Sequence, residues 1–173
     1  MQIKKFKSTI FWTRTAILLA LALIFQMGGF PQPITGPVIN AILFLSVFLV
    51  GPAAGISIGI LTPIMAFIRG ILPPPLGPLI PFIAIGNSFL VLVYAITSKV
   101  LQVKIEQVFT WRRILAMVIA AIIKFLILAG AVTFLVEIPP PIAQMMTLPQ
   151  LYTALVGALI ALLIYKTLPF KKI

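Results

Sequence analysis

The chain has no cysteine and no histidine among its 173 residues, and only two acidic residues, Glu106 and Glu137. Without cysteine or histidine there is no disulfide framework, no Cys/His zinc site, no histidine-ligated haem and no Ser-His-Asp triad. Two acids make a carboxylate dyad or a hard-metal cage only if they meet, and their positions put them on opposite sides of a membrane. Charge is scarce as well: 9% of residues are Asp, Glu, Lys or Arg, against 62% hydrophobic, and the mean hydropathy is +1.24. So apolar a chain belongs in a bilayer rather than in water. No catalytic residue, metal site or cofactor is expected.

What is present is a series of apolar runs. A hydrocarbon core of roughly 30 Å takes about 20 residues of helix at about 1.5 Å each. On that measure the sequence predicts spans over about 12–29, 36–51, 53–72, 78–100, 112–136 and 147–167. The second and third form one run that as a single rod would be roughly 55 Å long, so Gly51-Pro52 is expected to be the hairpin between them. The expectation is an all-α membrane protein of six transmembrane helices in one integral domain, residues 1–173, with both termini on one side.

The net charge of +11 decides which side. Lys4, Lys5, Lys7 and Arg14 precede or open the first span; Lys99, Lys104, Arg112 and Arg113 fall in the fourth-to-fifth connection; Lys166, Lys171 and Lys172 close the chain. Eleven of the thirteen basic residues thus share one face, which the positive-inside rule makes cytoplasmic. The charge reads as a topology signal, and no nucleic-acid partner is expected. Ala20-Leu21-Ala22 has the small-x-small form of a signal-peptidase site, but Arg14 leaves only about five apolar residues before it, fewer than the usual 7 or more. The first helix is therefore expected to remain in the protein.

Twelve of the fifteen prolines fall around the three outer connections: Pro31, Pro33 and Pro37; Pro73, Pro74, Pro75, Pro78 and Pro81; Pro139, Pro140, Pro141 and Pro149. Such loops are expected to be stiff and extended, with little freedom to lose on closing over a ligand, unless the prolines only punctuate helices. Gly51, Gly55 and Gly59 form two overlapping GxxxG steps suited to close helix approach.

The order and spacing of several short motifs resemble a known family. Ala16-Ile-Leu-Leu-Ala20 after a basic N-terminus, Gly-Pro-Val-Ile-Asn at 36–40, Gly-Pro-Ala-Ala-Gly at 51–55 and Pro81-Phe-Ile-Ala-Ile-Gly-Asn87, within six spans, look like the S component of an energy-coupling factor (ECF) transporter. The resemblance implies a substrate-binding subunit for a vitamin or related micronutrient in a prokaryotic plasma membrane. Its implied partners are a transmembrane T subunit and two cytoplasmic ATPases, with Ala16 and Ala20 forming the AxxxA face that meets the T subunit. The residues agree independently that any ATP-driven work comes from elsewhere, since no GxxxxGK[ST] loop is present.

Candidate binding residues are the polar ones at membrane depth, because hydrocarbon penalises them by several kcal/mol unless something compensates. Lys124 lies about 18 Å past Arg112, on a stripe with Ala116, Ala120 and Leu128. It suits an anionic substrate group, or else pairs inside the bundle with backbone carbonyls. Asn87, at similar depth, shares a face with Tyr94 and offers a donor and an acceptor. Asn40 reads as a stitch between the second helix and a neighbour. Nearer the outer surface, Arg69 is placed to attract an anion or to pair with Glu137, and Gln26, Gln32 and Gln144 to reach a ligand under the loops. Tyr152 is among the aromatics available for stacking. The contrasting reading is a structural or assembly membrane protein similar to the MreD family, which has little need for a lysine at Lys124. A carrier acting without ATPases is a third reading.

Overall fold

The structure is a computed structural model that describes residues 2–104 and 106–168, with side chains described from Ser8 onward. Described residues form helices α1 (Gln2–Met27), α2 (Gln32–Leu49), α3 (Pro52–Ile68), α4 (Ile80–Val100), α5 (Trp111–Gly130), α6 (Pro140–Met145) and α7 (Leu148–Thr167). A 3-10 turn over Pro74–Leu79 leads into α4, and a π turn over Ala131–Leu135 prolongs α5. Five helical stretches are long and apolar enough to cross a membrane, and α3, at 17 residues, is a shorter apolar sixth. At about 1.5 Å per residue α3 spans roughly 26 Å, at the lower end of what a bilayer core accepts. The chain is an all-α membrane protein, and its hairpin falls at Gly51-Pro52 as the sequence predicts.

Proline placement explains where helices begin. Proline at a first or second helical position loses nothing, because that N–H has no partner within the helix and the ring presets φ. Helices α2, α3, α4, α6 and α7 and the 3-10 turn all start this way. Of the two readings of these prolines, helix punctuation describes the structure better: Pro31 and Pro73 are extended, but they and Pro139 each hand over at once to a helical turn. Gly51 takes one of its two expected roles, the hairpin, and not the other, since a Cβ there would meet nothing within 4 Å. Its φ of +133° makes it the turn between α2 and α3 rather than a packing glycine. Gly55 and Gly59 do face close neighbours, Ser46 with Val91 and Asn87 respectively.

Helix α2 sits among α1, α3, α4 and α7, while α5 joins α4 to α7 on the far side. The tightest approach is between α2 and α7. A Cβ on Gly157 would lie 2.6 Å from Asn40 Cβ and 2.7 Å from the Pro37 carbonyl oxygen, and one on Gly36 would lie 2.9 Å from Thr153. Helix α1 is the peripheral member. Thr15, Leu18 and Ala22 turn inward, whereas Trp12, Ala16, Ile17, Ala20 and Ile24 form an exposed stripe on the opposite side.

Apart from Arg69 and Lys124, the described basic side chains gather at one end. The buried Arg113 guanidinium donates to the Lys104 and Val108 carbonyls at 2.9 and 3.4 Å and lies 5.6 Å from both the Phe48 and Tyr165 rings. Arg14 donates to the Leu49 carbonyl at 3.1 Å, and Lys166 lies over Phe109. The side chains of Lys4, Lys5 and Lys7, and all of Lys171 and Lys172, lie outside the described residues. Glu106 is at this basic end and Glu137 beyond the opposite end of α5, so the two acids are apart.

The α2–α7 contact yields a stability prediction. Gly157→Ala places a methyl group inside contact distance of α2 backbone and should lower stability by about 1–3 kcal/mol. Gly130→Ala, whose Cβ meets nothing within 4 Å, should be neutral or mildly stabilising. Thermal unfolding in detergent micelles distinguishes them, and equal melting temperatures would contradict the packing described.

Candidate functional site

The site grows from the side chains that helix periodicity turns inward at the proline-rich end. On α5, Thr110 caps the helix by accepting the Arg113 backbone N–H, and the stripe Ala116, Ala120, Lys124 and Leu128 is buried throughout. Methyl side chains at the first two positions let neighbours close over the stripe. Lys124 is 3% exposed and donates to Asn40 Oδ1 at 2.6 Å. Its partner is thus a side-chain amide of α2, not the backbone carbonyl that is the alternative from sequence.

Asn40 is itself held. Its amide nitrogen donates to the Gly36 carbonyl at 3.0 Å and to Thr153 Oγ1 at 3.4 Å, while Thr153 donates to the Gln150 carbonyl. One residue therefore ties α2 to both α5 and α7. Across the cavity, Pro63 within α3 has no N–H to give the carbonyl four residues earlier, that of Gly59. Asn87 of α4 supplies the missing donor, its amide nitrogen reaching Gly59 O at 3.2 Å.

These groups line a cavity of about 270 Å³ at the proline-rich end. Lys124, Asn40, Asn87, Thr62 and Gln150 stand in its walls. Gln26, Gln32, Thr35 and Phe30 border it from the α1–α2 corner, and Leu72, Pro73, Ile142 and Met146 from the loops. Neither glutamate lines it. The volume is near the lower end for small-molecule sites, and the wall is mostly apolar with a few convergent polar groups, as such sites usually are.

Of the residues singled out in the sequence as ligand contacts, the cavity brings together Lys124, Asn87, Gln26 and Gln32. Tyr94 lies one step beyond: it is on the Asn87 face, but seven residues of helix is about 10 Å, and its ring packs edge-on against Phe44 and Phe48 toward the basic end. Tyr152 is 61% exposed and Gln144 is on the exposed side of α6, so neither lines the cavity. Arg69 borders a second, smaller cavity of about 170 Å³ between α1 and α3, which shares Gln26 and Ile71 with the first. No ion pair joins Arg69 to Glu137 among the described residues. Asn40, read only as a stitch, is both a stitch and a wall of the cavity. Gln150 went unnoticed, although Gln150, Thr153, Gly157 and Ala161 make a polar-to-small stripe along α7 that marks its inward face.

The Lys124–Asn40 contact is testable as a coupled pair. Asn40→Leu removes the acceptor from a buried amine and should lower the stability of the unliganded protein by about 1–3 kcal/mol. Combining it with Lys124→Met should recover a large part of that loss in thermal unfolding, since the pair acts as a unit. Additive losses would mean that the contact contributes nothing.

A family model described as "ECF transporter, substrate-specific component" matches residues 11–169, nearly the whole chain. No curated protein and no solved structure matches it.

Proposed function

The chain belongs to the substrate-specific components of ECF transporters, and we propose that within this family it captures an anionic vitamin or related micronutrient in the cavity walled by Lys124, Asn40 and Asn87. The family's role is substrate binding in a transporter rather than an enzymatic reaction, and the chain is a multi-pass protein of the cell membrane. The observation that carries the substrate reading is Lys124. It is a lone buried amine in an apolar wall, with an amide oxygen but no carboxylate beside it. A carboxylate or phosphate entering the cavity would supply the counter-charge that the protein does not, and charge-assisted hydrogen bonds of this kind are about twice as strong as neutral ones.

Several features support a direction and a set of partners. The eleven basic residues that the sequence groups on one face support, through the positive-inside rule, a topology with both termini inside and the cavity outside, beneath the proline-rich loops. Arg69, at the edge of the second cavity, draws anions toward the α1–α3 side. Ala16 and Ala20 lie on the exposed stripe of α1, where small side chains allow another helix close approach. That stripe is the face offered to a T subunit, through which two ATPases drive release inward. A scaffold of the MreD kind has no use for a cavity walled by a buried amine, which favours the transporter reading.

Two experiments test this. Mass spectrometry of small molecules released by denaturing the gently purified protein should find one near-stoichiometric compound bearing a carboxylate or phosphate, absent from Lys124→Met prepared in parallel. Equal amounts in both samples would overturn the role of Lys124, provided that both melt cooperatively. Ala16→Leu with Ala20→Leu should leave that compound bound but abolish co-purification with T subunit and ATPases. Undiminished co-purification would overturn the α1 docking face.

A further inference from the structure

The hydrogen bonds around the cavity leave an uneven inventory. Thr62 donates its hydroxyl proton to the Ile58 carbonyl at 2.9 Å, and Thr35 donates to the Phe30 carbonyl at 2.9 Å. Both are spent within or next to their own helix, so toward a ligand each hydroxyl has only lone pairs to give. Gln150 directs its amide nitrogen to the Met145 carbonyl at 3.2 Å and the Met146 sulfur at 3.7 Å, which leaves its oxygen. Asn87 uses one amide hydrogen on Gly59, keeping its oxygen and a single N–H. Gln26 Oε1 is buried with no hydrogen-bond partner among the described residues. Lys124 gives one hydrogen to Asn40 and keeps two. Gln32, at the corner of the cavity, retains a whole amide.

Thr62, Thr35 and Gln150 therefore offer oxygens alone, against Lys124 as the one group that offers hydrogens alone, while the amides of Asn87, Gln32 and Gln26 offer both. Gln26 Oε1 is the buried one of these with no partner among the described residues, and a buried acceptor left unmade costs about as much as a lost hydrogen bond, so a molecule that fills the cavity gains by bringing donors to it and to the acceptor-only oxygens of Thr62, Thr35 and Gln150. Donors arrive either as cationic ammonium groups or as neutral hydroxyl and amide N–H groups. The first is disfavoured because no carboxylate lines the cavity and Lys124 already stands there, so a second positive charge would be repelled at low dielectric.

We infer that the substrate is a monoanion carrying at least two neutral hydrogen-bond donors, hydroxyl or secondary amide, on a compact and otherwise apolar frame, with its anionic end at Lys124 and its donors toward Thr35, Thr62, Gln150 and Gln26. This rests on the substrate-binding reading above and narrows it, since an anion with no donors would satisfy Lys124 but leave the oxygens empty.

The test is a thermal-shift and calorimetric screen of the full-length protein in detergent micelles with four matched sets of probes. These are small monocarboxylates bearing two or more hydroxyl or secondary-amide groups, the same acids with those groups methylated, their methyl esters, and the corresponding primary amines. Binding should be confined to the first set. Methylating a single donor, or replacing Thr62 with valine, should each weaken a binder by up to roughly tenfold, and the two losses should not add where that donor meets that oxygen. Thr62→Val should leave unliganded melting within a degree or so of the parent, because the hydroxyl it loses bonds only to its own helix.

Binding by the methylated acids or the amines, at affinities equal to the first set, would overturn the inference while leaving a substrate-binding protein. Stabilisation by none of the four sets would overturn both the inference and the anionic-substrate reading on which it rests. A first-set binder whose affinity is untouched by Thr62→Val, Thr35→Val and Gln150→Leu alike would also overturn it, because the acceptors would then be idle.

Discussion

A single amine buried among apolar helices is the constraint from which the rest of the bundle follows. Lys124 is separated from either end of the extended α5 by several turns, so its side chain cannot reach along the helix to either end and needs a polar partner at its own depth. Asn40 supplies it, but an asparagine in a membrane helix brings a polar problem of its own. That is solved by bonds to Gly36 and Thr153, which require α2 and α7 to lie almost backbone to backbone. Gly36 and Gly157 permit this approach, each facing the partner helix where even a methyl group would collide. One charge thus dictates two glycines and a threonine on elements far apart in sequence.

The two ends of the molecule handle cations in opposite ways. At the basic end Arg113 is buried between the Phe48 and Tyr165 rings and donates to two carbonyls of the loop it anchors, so it holds helices and loop together. At the proline-rich end Lys124 has one partner and an open cavity beside it. Arginine suits the first task because its planar fork can stack and bond several carbonyls at once. Lysine suits the second because its compact head can exchange one acceptor for another. The helices are therefore joined around a charge at the basic end and spaced apart around one at the proline-rich end.

The fold and part of the site were legible because helix periodicity is a property of one strand of sequence. The Ala116, Ala120, Lys124, Leu128 stripe and the Gly51-Pro52 hairpin need no knowledge of neighbours. Partners across helices do not leave such a trace: nothing local joins Asn40 to Lys124, 84 residues away. The same limit applies to Tyr94, whose face is right but whose distance along the axis carries it past the cavity floor. Pro63 shows how a cross-helix bond does become readable. Its missing N–H guarantees that the Gly59 carbonyl seeks a donor from elsewhere, though only the fold reveals Asn87 as that donor. The prolines of the loops were ambiguous for a related reason, because the same preset φ suits an extended segment and the first turn of a helix.

Helix α1 completes the argument because its position is set by what it does not do. It contributes Thr15, Leu18 and Ala22 to the interior and one residue, Gln26, to the main cavity, while its other side carries Trp12, Ala16, Ile17, Ala20 and Ile24 outward. The polar core of α2, α5 and α7 is sealed without that outward face. A helix held by so few inward contacts can change its outer neighbour, lipid or protein, without disturbing the Lys124–Asn40 bond. Yet Gln26 borders both cavities, so a shift of α1 against α3 moves one wall of the main cavity directly. The arrangement therefore separates the polar groups around Lys124 from the outward face of α1, and leaves Gln26 as the α1 residue that borders both cavities.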